Sequence, residues 1–182
     1  MEEYEYLQYL SSNMDSIALD RLMLDFGKDV WNYAYFLTRD LHASDDISQE
    51  VFLRAYRSVK DFRGESTVKT WLLKITRNLS YNYRNFAFLR KVTLFEWVRH
   101  SETVASAENE FMDREATNDI WRVILDLPII FREVLILDIQ HEMTIKEMAG
   151  VLGVSEGTVK SRLHRARAKV LKKLQEVGGH EK

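Results

Sequence analysis

Seven basic side chains and no acidic one lie between residues 157 and 173 of this 182-residue chain. They are Lys160, Arg162, Arg165, Arg167, Lys169, Lys172 and Lys173. Lysine and arginine bind phosphate groups, and arginine can also donate two hydrogen bonds to the edge of a guanine base. This stretch therefore indicates recognition of a polyanion, with DNA as the first candidate. A basic, solvated face of an ordinary helix is the alternative.

The residues just before and within this stretch predict a helix-turn-helix. Thr144 and Glu147 have the spacing of a capping box at the start of a short helix. Gly153 follows where the turn requires a positive φ, and Ser155 is expected to cap the next helix. A helix, a turn of three or four residues and a second helix form the layout that places a recognition helix in the major groove.

The final helix is predicted to have an apolar inner side and a polar outer strip. The inner side consists of Val159, Leu163, Ala166 and Val170. The outer strip consists of Lys160, Ser161, His164 and Arg165. We expect Lys160 or Arg165 to contact guanine edges. The cations expected to contact phosphates are Arg162, Arg167 and Lys169.

The charges of the chain fall in alternating blocks. Residues 1–53 have a net charge of −8 and residues 54–100 one of +8. Residues 101–149 have −7, and residues 150–182 have +5. We therefore predict two separate basic surfaces for a polyanion, with acidic faces left for another partner.

The rest of the chain is typical of an all-α protein. One Pro and seven Gly leave few turns for a sheet. Apolar residues recur at helical spacing in three N-terminal segments, 14–38, 44–56 and 67–85. The periodicity weakens over about 87–113 and then returns. We predict two small helical domains, residues 1–88 and 114–182, joined by a linker over 89–113.

Two further helix starts are predicted from single residues. Ser44 is expected to cap the second helix, with Asp45 and Asp46 in its first turn, where acidic side chains interact favourably with the helix dipole. Pro128, the only proline, suits the first turn of the helix that follows it.

Composition argues against several other classes of protein. No stretch reaches eighteen uncharged apolar residues, so no transmembrane helix is predicted. The acidic N-terminus does not have the basic and then apolar layout of a signal peptide. The absence of Cys excludes disulfides and thiolate metal sites, and it fits a reducing cytoplasm.

An enzyme is the weakest of the alternatives. The sequence contains no nucleotide-binding glycine loop, no histidine-rich metal spacing and no paired-carboxylate site. We therefore expect no catalytic residues, no metal and no cofactor. The histidines are scattered and are expected to be exposed rather than to bind a metal: His42, His100, His141, His164 and His180.

Two segments of the chain carry a family resemblance. They are DDISQEVFLRAYRSVKDFRGESTVKTWLLKITRNL (Asp45–Leu79) and LPIIFREVLILDIQHEMTIKEMAGVLGVSEGTVKSRLHRAR (Leu127–Arg167). Together they resemble regions 2 and 4 of bacterial RNA polymerase sigma factors of the extracytoplasmic-function (ECF) group, in the sigma-70 family. The resemblance covers most of residues 20–175, and it implies that the chain directs core polymerase to promoters and so to transcription initiation.

The resemblance assigns a polymerase contact to the second helix. Asp46, Gln49 and Glu50 match the segment by which sigma factors hold the clamp helices of the polymerase β′ subunit. The spacing i, i+3, i+4 puts the three side chains on one helix face, opposite the apolar stripe. A solvated acidic face is the alternative for these residues taken alone.

The resemblance also assigns two promoter contacts. The loop that captures an extruded base of the −10 element is matched by Phe62, Arg63, Gly64, Glu65 and Ser66. Asn78 matches a residue that supports this pocket, and Trp71 is expected to be core. The cations expected to hold the DNA backbone are Lys69, Lys74, Arg77 and Arg84. Region 4 residues that read the −35 element are matched by Lys160, Ser161, His164 and Arg165, with Arg162 beside them.

The resemblance further implies a cytoplasmic protein with an anti-sigma factor as a partner, one that is often membrane-tethered in this family. The segment 86–98 is more apolar than a linker requires. One hypothesis is that Phe95 and Trp97 pack on the C-terminal domain and restrain DNA binding.

A stand-alone transcription regulator remains the alternative function. It would use the same helix-turn-helix as a dimer on a palindrome. It would also need a dimerisation or effector module, which the N-terminal half does not resemble.

Overall fold

The computed structural model describes residues 16–58, 62, 64–94 and 119–178, and every regular element in these ranges is an α-helix. The first three are α1 (Ser16–Thr38), α2 (Leu41–Ser58) and α3 (Val68–Leu94). The last four are α4 (Asp119–Leu125), α5 (Ile129–Ile139), α6 (Ile145–Leu152) and α7 (Glu156–Gly178). The predicted all-α fold of two helical modules is confirmed. Below, α1–α3 form the N-module and α4–α7 the C-module.

The predicted starts of α6 and α7 are confirmed. The Thr144 hydroxyl accepts a hydrogen bond from the backbone N–H of Glu147, and the Glu147 carboxylate accepts one from the backbone N–H of Thr144. Gly153 ends α6 with φ of 66°, in the left-handed region that glycine adopts at little cost. The Ser155 hydroxyl then accepts from the backbone N–H of Thr158. Local residue chemistry therefore fixes the helix-turn-helix.

The predicted cap of α2 is wrong. The helix begins at Leu41, and Asp40 accepts the capping hydrogen bond from the backbone N–H of Ala43 at 3.0 Å. Ser44 is buried inside the helix, and its hydroxyl donates to the carbonyl of Asp40. Asp is as good a cap as Ser, and the chain turns earlier, at Arg39, whose φ is 58°.

The N-module has its own apolar core beneath the surface that carries the predicted polymerase contact. Val30 and Ala34 of α1 meet Val51 and Phe52 of α2 and Leu72 of α3. Trp71 packs against the edge of this core, as expected.

The two modules pack directly on each other through a shared apolar core. α3 contacts α6, and α1 contacts α5. Tyr33, Phe36 and Leu37 of α1 and Leu73 of α3 lie in the same cluster as the core of the C-module. The Phe36 ring lies 5.5 Å from the ring of Trp121, measured between centroids. The interface between the modules is therefore buried and largely hydrophobic.

α3 is longer than the apolar pattern predicts. It continues past residue 85 to Leu94, with Phe86 and Phe88 exposed to solvent. Phe95 and Trp97, for which an inhibitory contact was predicted, lie outside the described residues. Within the described ranges, none of the helices combines the length and apolar character that a bilayer span requires.

Candidate nucleic-acid and polymerase interfaces

The outer strip of α7 lies on the protein surface. Lys160, Ser161, His164 and Arg165 are all exposed. On the opposite side of the helix, Val159, Leu163 and Ala166 are buried in the shared core. The Ser161 hydroxyl donates back to the carbonyl of Thr158 at 2.9 Å, which leaves its oxygen able to accept. The strip therefore presents donors and an acceptor to solvent on a helix whose opposite side is fixed in the core of the C-module.

Three cations of α7 that were predicted to contact phosphates have partners inside the chain. Arg162 Nη1 lies 3.4 Å from a carboxylate oxygen of Glu133, and its side chain is 24% exposed. Arg167 Nη2 lies 2.7 Å from Asp138 Oδ2. Lys169 Nζ sits 5.4 Å from the centre of the Phe131 ring. Of the three, Arg162 is the most enclosed.

The predicted base-capture loop leads into α3 and rests on its first turn. The Phe62 ring packs on Trp71, with centroids 5.0 Å apart. Gly64 has φ of 70°, a backbone conformation that favours glycine. Glu65 and Ser66 are exposed beside it. Arg63 lies outside the described residues.

The polar residues of α3 divide between two faces. Lys74 and Asn78 are one helical turn apart and exposed. Lys69 and Arg77 face other parts of the chain: Lys69 Nζ lies 3.0 Å from Asp29 Oδ2, and Arg77 Nε lies 3.0 Å from Glu133 Oε2. Arg84 donates to the carbonyl of Leu37 at 2.9 Å. Of the α3 residues predicted to contact the −10 element, Lys74 and Asn78 are therefore the two that share a solvent-facing surface.

The predicted clamp-binding residues lie on the outer face of α2. Asp46 and Gln49 are exposed, and Glu50 is half-buried. The Glu50 carboxylate accepts a hydrogen bond of 2.6 Å from Arg54 on the next turn. Asp46 and Gln49 are the members of this set that face solvent most fully.

Three charged or titratable residues at the module junction were missed by the sequence reasoning. Arg132 and Glu133 are buried, and Arg132 donates to the carbonyl of Phe36 at 2.9 Å and to that of Leu127 at 3.3 Å. His141, which was expected to be exposed, is buried, and its Nδ1 lies 3.4 Å from Asp29 Oδ1. The sequence gives one indication of this burial, because Arg132 and Glu133 lie next to each other inside the apolar sequence of α5.

Burial shifts the pKa values of the groups at this junction. Burial, together with the positive charges of Arg39 and Arg84, lowers the pKa of Arg132 to about 10, so its guanidinium stays charged at neutral pH. Burial, together with the Glu133 carboxylate, raises the pKa of Tyr81 to about 12. The Tyr81 hydroxyl therefore remains protonated and donates to Glu133 at 2.9 Å.

Comparison with known proteins agrees with this arrangement. Residues 22–87 match the family model of sigma-70 region 2, and residues 117–170 match that of sigma-70 region 4. The ECF RNA polymerase sigma-E factor of Haemophilus influenzae is 31% identical over 153 residues, which cover 78% of this chain and 81% of that protein.

Two solved structures have a similar fold. CnrH in complex with the cytosolic domain of CnrY has a TM-score of 0.70 at 24% identity, with 96% of this chain and 97% of that chain covered. The sigma factor RpoE of Bartonella quintana, in complex with the anti-sigma factor NepR, has a TM-score of 0.64 at 20% identity, with coverages of 90% and 98%.

The fold and its exposed basic recognition helix define a two-module helical DNA-binding protein. The chain belongs to the ECF group of RNA polymerase sigma factors, as its sequence predicted. It binds core RNA polymerase and directs it to promoter DNA for transcription initiation.

Proposed function

We propose that the chain contacts the promoter at two separate places. α7 reads the −35 element through Lys160, Ser161, His164 and Arg165. The N-module engages the −10 element. The observation that carries this proposal is the exposure of that four-residue strip on a helix that a capping box and a left-handed glycine position.

The −10 contact combines a loop and one face of α3. The loop from Phe62 to Ser66 receives an unpaired base beside the Phe62 ring, and the backbone at Gly64 allows a close approach. Asn78 supports the pocket, and Lys74 holds a phosphate. Lys69, Arg77 and Arg84 add phosphate contacts once they are available to DNA.

The polymerase contact is the outer face of α2. Asp46, Gln49 and Glu50 bind the clamp helices of the β′ subunit through hydrogen bonds and opposite charge. The exposure of Asp46 and Gln49 supports this role. Residues 1–88 thus serve as region 2, residues 89–113 as the linker and residues 114–182 as region 4.

An anti-sigma factor is a further proposed partner. RpoE, which shares the fold of this chain, is described in complex with the anti-sigma factor NepR. We place the chain with its polymerase in the cytoplasm, as an initiation factor without catalytic activity of its own.

The test is transcription in vitro with core polymerase that lacks any other sigma factor. Genomic fragments serve as templates, and the start sites are sequenced. We expect discrete start sites that share two sequence elements upstream. No start sites on any template would contradict the proposal. A gel shift of promoter DNA with and without core polymerase distinguishes a sigma factor from a stand-alone regulator. The regulator would shift the DNA without core.

A further inference from the structure

The face of α3 that carries Lys74 and Asn78 continues towards the C-terminal end of the helix with further exposed side chains. Asn82 and Asn85 follow Asn78 at spacings of four and seven residues, and Phe86 follows Asn82 by four. Residues at these spacings lie on one side of an α-helix, and all five side chains are exposed. Asn82, Asn85 and Phe86 form what we call the α3 extension.

The residues of the α3 extension are unfavourable for the helix that carries them. Asparagine is a poorer helix former than alanine, because its side chain competes for backbone hydrogen bonds. Phe86 is 68% exposed, so most of its ring gains nothing from burial in the core. Residues that weaken local structure without a gain in packing are typical of functional surfaces. The α3 extension is therefore expected to have a binding partner.

Charge and position favour DNA as that partner. Residues 66–94 include six Lys or Arg and no Asp or Glu, so no acidic side chain of α3 repels a phosphate. The α3 extension is also continuous with Lys74 and Asn78, which the proposed −10 contact already uses. A protein that covers the exposed rings of Phe86 and Phe88 is the alternative partner.

The direction of α3 places the α3 extension on the upstream side of the −10 contact. The base-capture loop precedes the first turn of α3, whereas the chain continues from the end of α3 to the C-module, whose α7 is proposed to read the −35 element. The −35 element lies upstream of the −10 element. At a rise of 1.5 Å per residue, Asn82 and Asn85 lie about 6 and about 10 Å beyond Asn78 along the helix axis. These distances correspond to about two and about three steps of B-form DNA.

The side chains of the α3 extension match the major-groove edge of an A·T pair. The amide oxygen of an asparagine accepts from the N6 amino group of adenine while its nitrogen donates to N7. Guanine has the acceptor O6 where adenine has the amino group, so it repels the amide oxygen. The ring of a phenylalanine can contact the C5-methyl group of thymine in the same groove. Two asparagines beside a phenylalanine therefore favour A·T over G·C pairs.

We propose that the α3 extension is a further base-reading site, which selects A·T pairs in the duplex on the upstream side of the −10 element. Asn82 and Asn85 are three residues apart, about 4.5 Å along the helix, which suits adenines of adjacent base pairs. Phe86 packs on a thymine methyl group beside them. This inference rests on the proposed −10 contact and adds a sequence preference next to it.

Transcription from a randomised promoter tests the base preference. The base pairs just upstream of the −10 element are randomised, the library is transcribed in vitro with core polymerase and the full chain, and the active templates are sequenced. The wild type is expected to enrich A·T over G·C at two adjacent positions by at least about fivefold. Asn82→Ala with Asn85→Ala should lose this enrichment and keep the −10 and −35 preferences. Gln175→Ala, which removes an exposed amide at the far end of α7, is the matched control and should behave as the wild type.

Modified bases test the individual atoms of the contact. In 7-deazaadenine a C–H group replaces the N7 acceptor, and uracil lacks the methyl group of thymine, but both still form the normal base pair. At the selected positions, 7-deazaadenine should weaken holoenzyme binding by about tenfold for the wild type and not for the double asparagine variant. Uracil should weaken binding by a smaller factor for the wild type and not for Phe86→Ala.

Three results would overturn the proposed site. Equal sensitivity of the wild type and the variants to the modified bases would show that the α3 extension does not read these atoms. An equal loss of binding on every upstream sequence would make the asparagines phosphate contacts. Loss of core affinity for Phe86→Ala, measured by fluorescence titration without promoter DNA, would show that this face binds protein instead.

The same library distinguishes failure of this inference from failure of the proposed −10 contact. A second library, randomised within the −10 element, is transcribed beside the first. If the wild type selects a −10 sequence but no A·T pairs upstream of it, the α3 extension alone is rejected. If the wild type selects no −10 sequence either, the −10 contact of the N-module is rejected, and the α3 extension with it.

Discussion

The two basic helices that carry the predicted promoter contacts differ in what surrounds their cations. On α7, Lys160 and Arg165 are exposed, as the predicted base-reading strip requires. On α3, Lys69 and Arg77 are paired with Asp29 and Glu133, and only 30% and 19% of their side chains are exposed. The proposed −35 reader is therefore accessible in this arrangement, whereas much of the proposed −10 surface is occupied by contacts within the chain.

This difference gives the acidic blocks of the sequence a second role. The block over residues 1–53 contributes Asp29, and the block over 101–149 contributes Glu133 and Asp138. These carboxylates pair with cations of the two basic blocks. An alternating charge pattern therefore produces internal pairing as well as separate binding surfaces.

The largest expected effect concerns the polymerase contact of the N-module. Gln49→Ala with Glu50→Ala should weaken binding to core polymerase by about 2–4 kcal/mol, because residues at the centre of an interface contribute most of its energy. Fluorescence titration of labelled chain with core measures the loss. Asp20→Ala, which removes an exposed acid on α1, is the control and should change little. Unchanged affinity of the double variant would reject the assignment of this face.

The features that could be predicted from sequence are those that local chemistry decides. The capping box at Thr144, the glycine turn at Gly153 and the apolar side of α7 each depend on residues within one or two helical turns. The match to a known family added the order of the two modules and their functions. The predicted cap at Ser44 failed because two capping residues, Asp40 and Ser44, lay within one turn of each other.

The features that could not be predicted depend on contacts between distant segments. Arg77 and Glu133 are 56 residues apart, and no local pattern indicates that they meet. Arg132 and Glu133 interrupt an apolar helix, which indicated an unusual environment but did not identify their partners. His141 was predicted to be exposed because scattered histidines have no periodicity that would reveal burial.

The next largest effect concerns base reading by α7. Arg165→Ala should cost about 1–3 kcal/mol on the preferred −35 sequence and relax the base preference at one position. The measurement is holoenzyme binding to a panel of −35 variants. Arg167→Ala is the comparison, because a phosphate contact weakens binding to every sequence equally. If Arg165→Ala also weakened binding to every −35 sequence equally, Arg165 would be a phosphate contact and not a base contact.

A smaller effect distinguishes Lys74, which is exposed on α3, from Lys69, which is paired with Asp29. Lys74→Ala should reduce the slope of log affinity against log salt by about one unit, as expected for one lost phosphate contact. Lys69→Ala should reduce this slope less, because Asp29 of the same module competes with DNA for the Lys69 ammonium group. The measurement is a salt titration of holoenzyme on promoter DNA. Equal slopes for the two variants would show that DNA displaces Asp29.

The smallest effect compares the helix caps of the two modules. Thr144→Ala should destabilise the C-module by about 1 kcal/mol, with Thr144→Ser near the wild type, because serine retains the hydroxyl that accepts from the backbone N–H of Glu147. Burial raises the pKa of Asp40, the cap of α2, but hydrogen bonds from Ala43 and Tyr83 outweigh it and hold that pKa below 3.8. The Asp40 cap therefore stabilises the folded protein above pH 3.8. This stabilisation is lost as the pH falls through the pKa that Asp40 has in the folded state. The effect of Asp40→Ala on thermal unfolding should shrink in acid, whereas that of Ser155→Ala should not, because the Ser155 cap bonds the backbone N–H and hydroxyl of Thr158 and no carboxylate. Parallel pH profiles for the two variants would contradict the assignment of Asp40 as a charged cap.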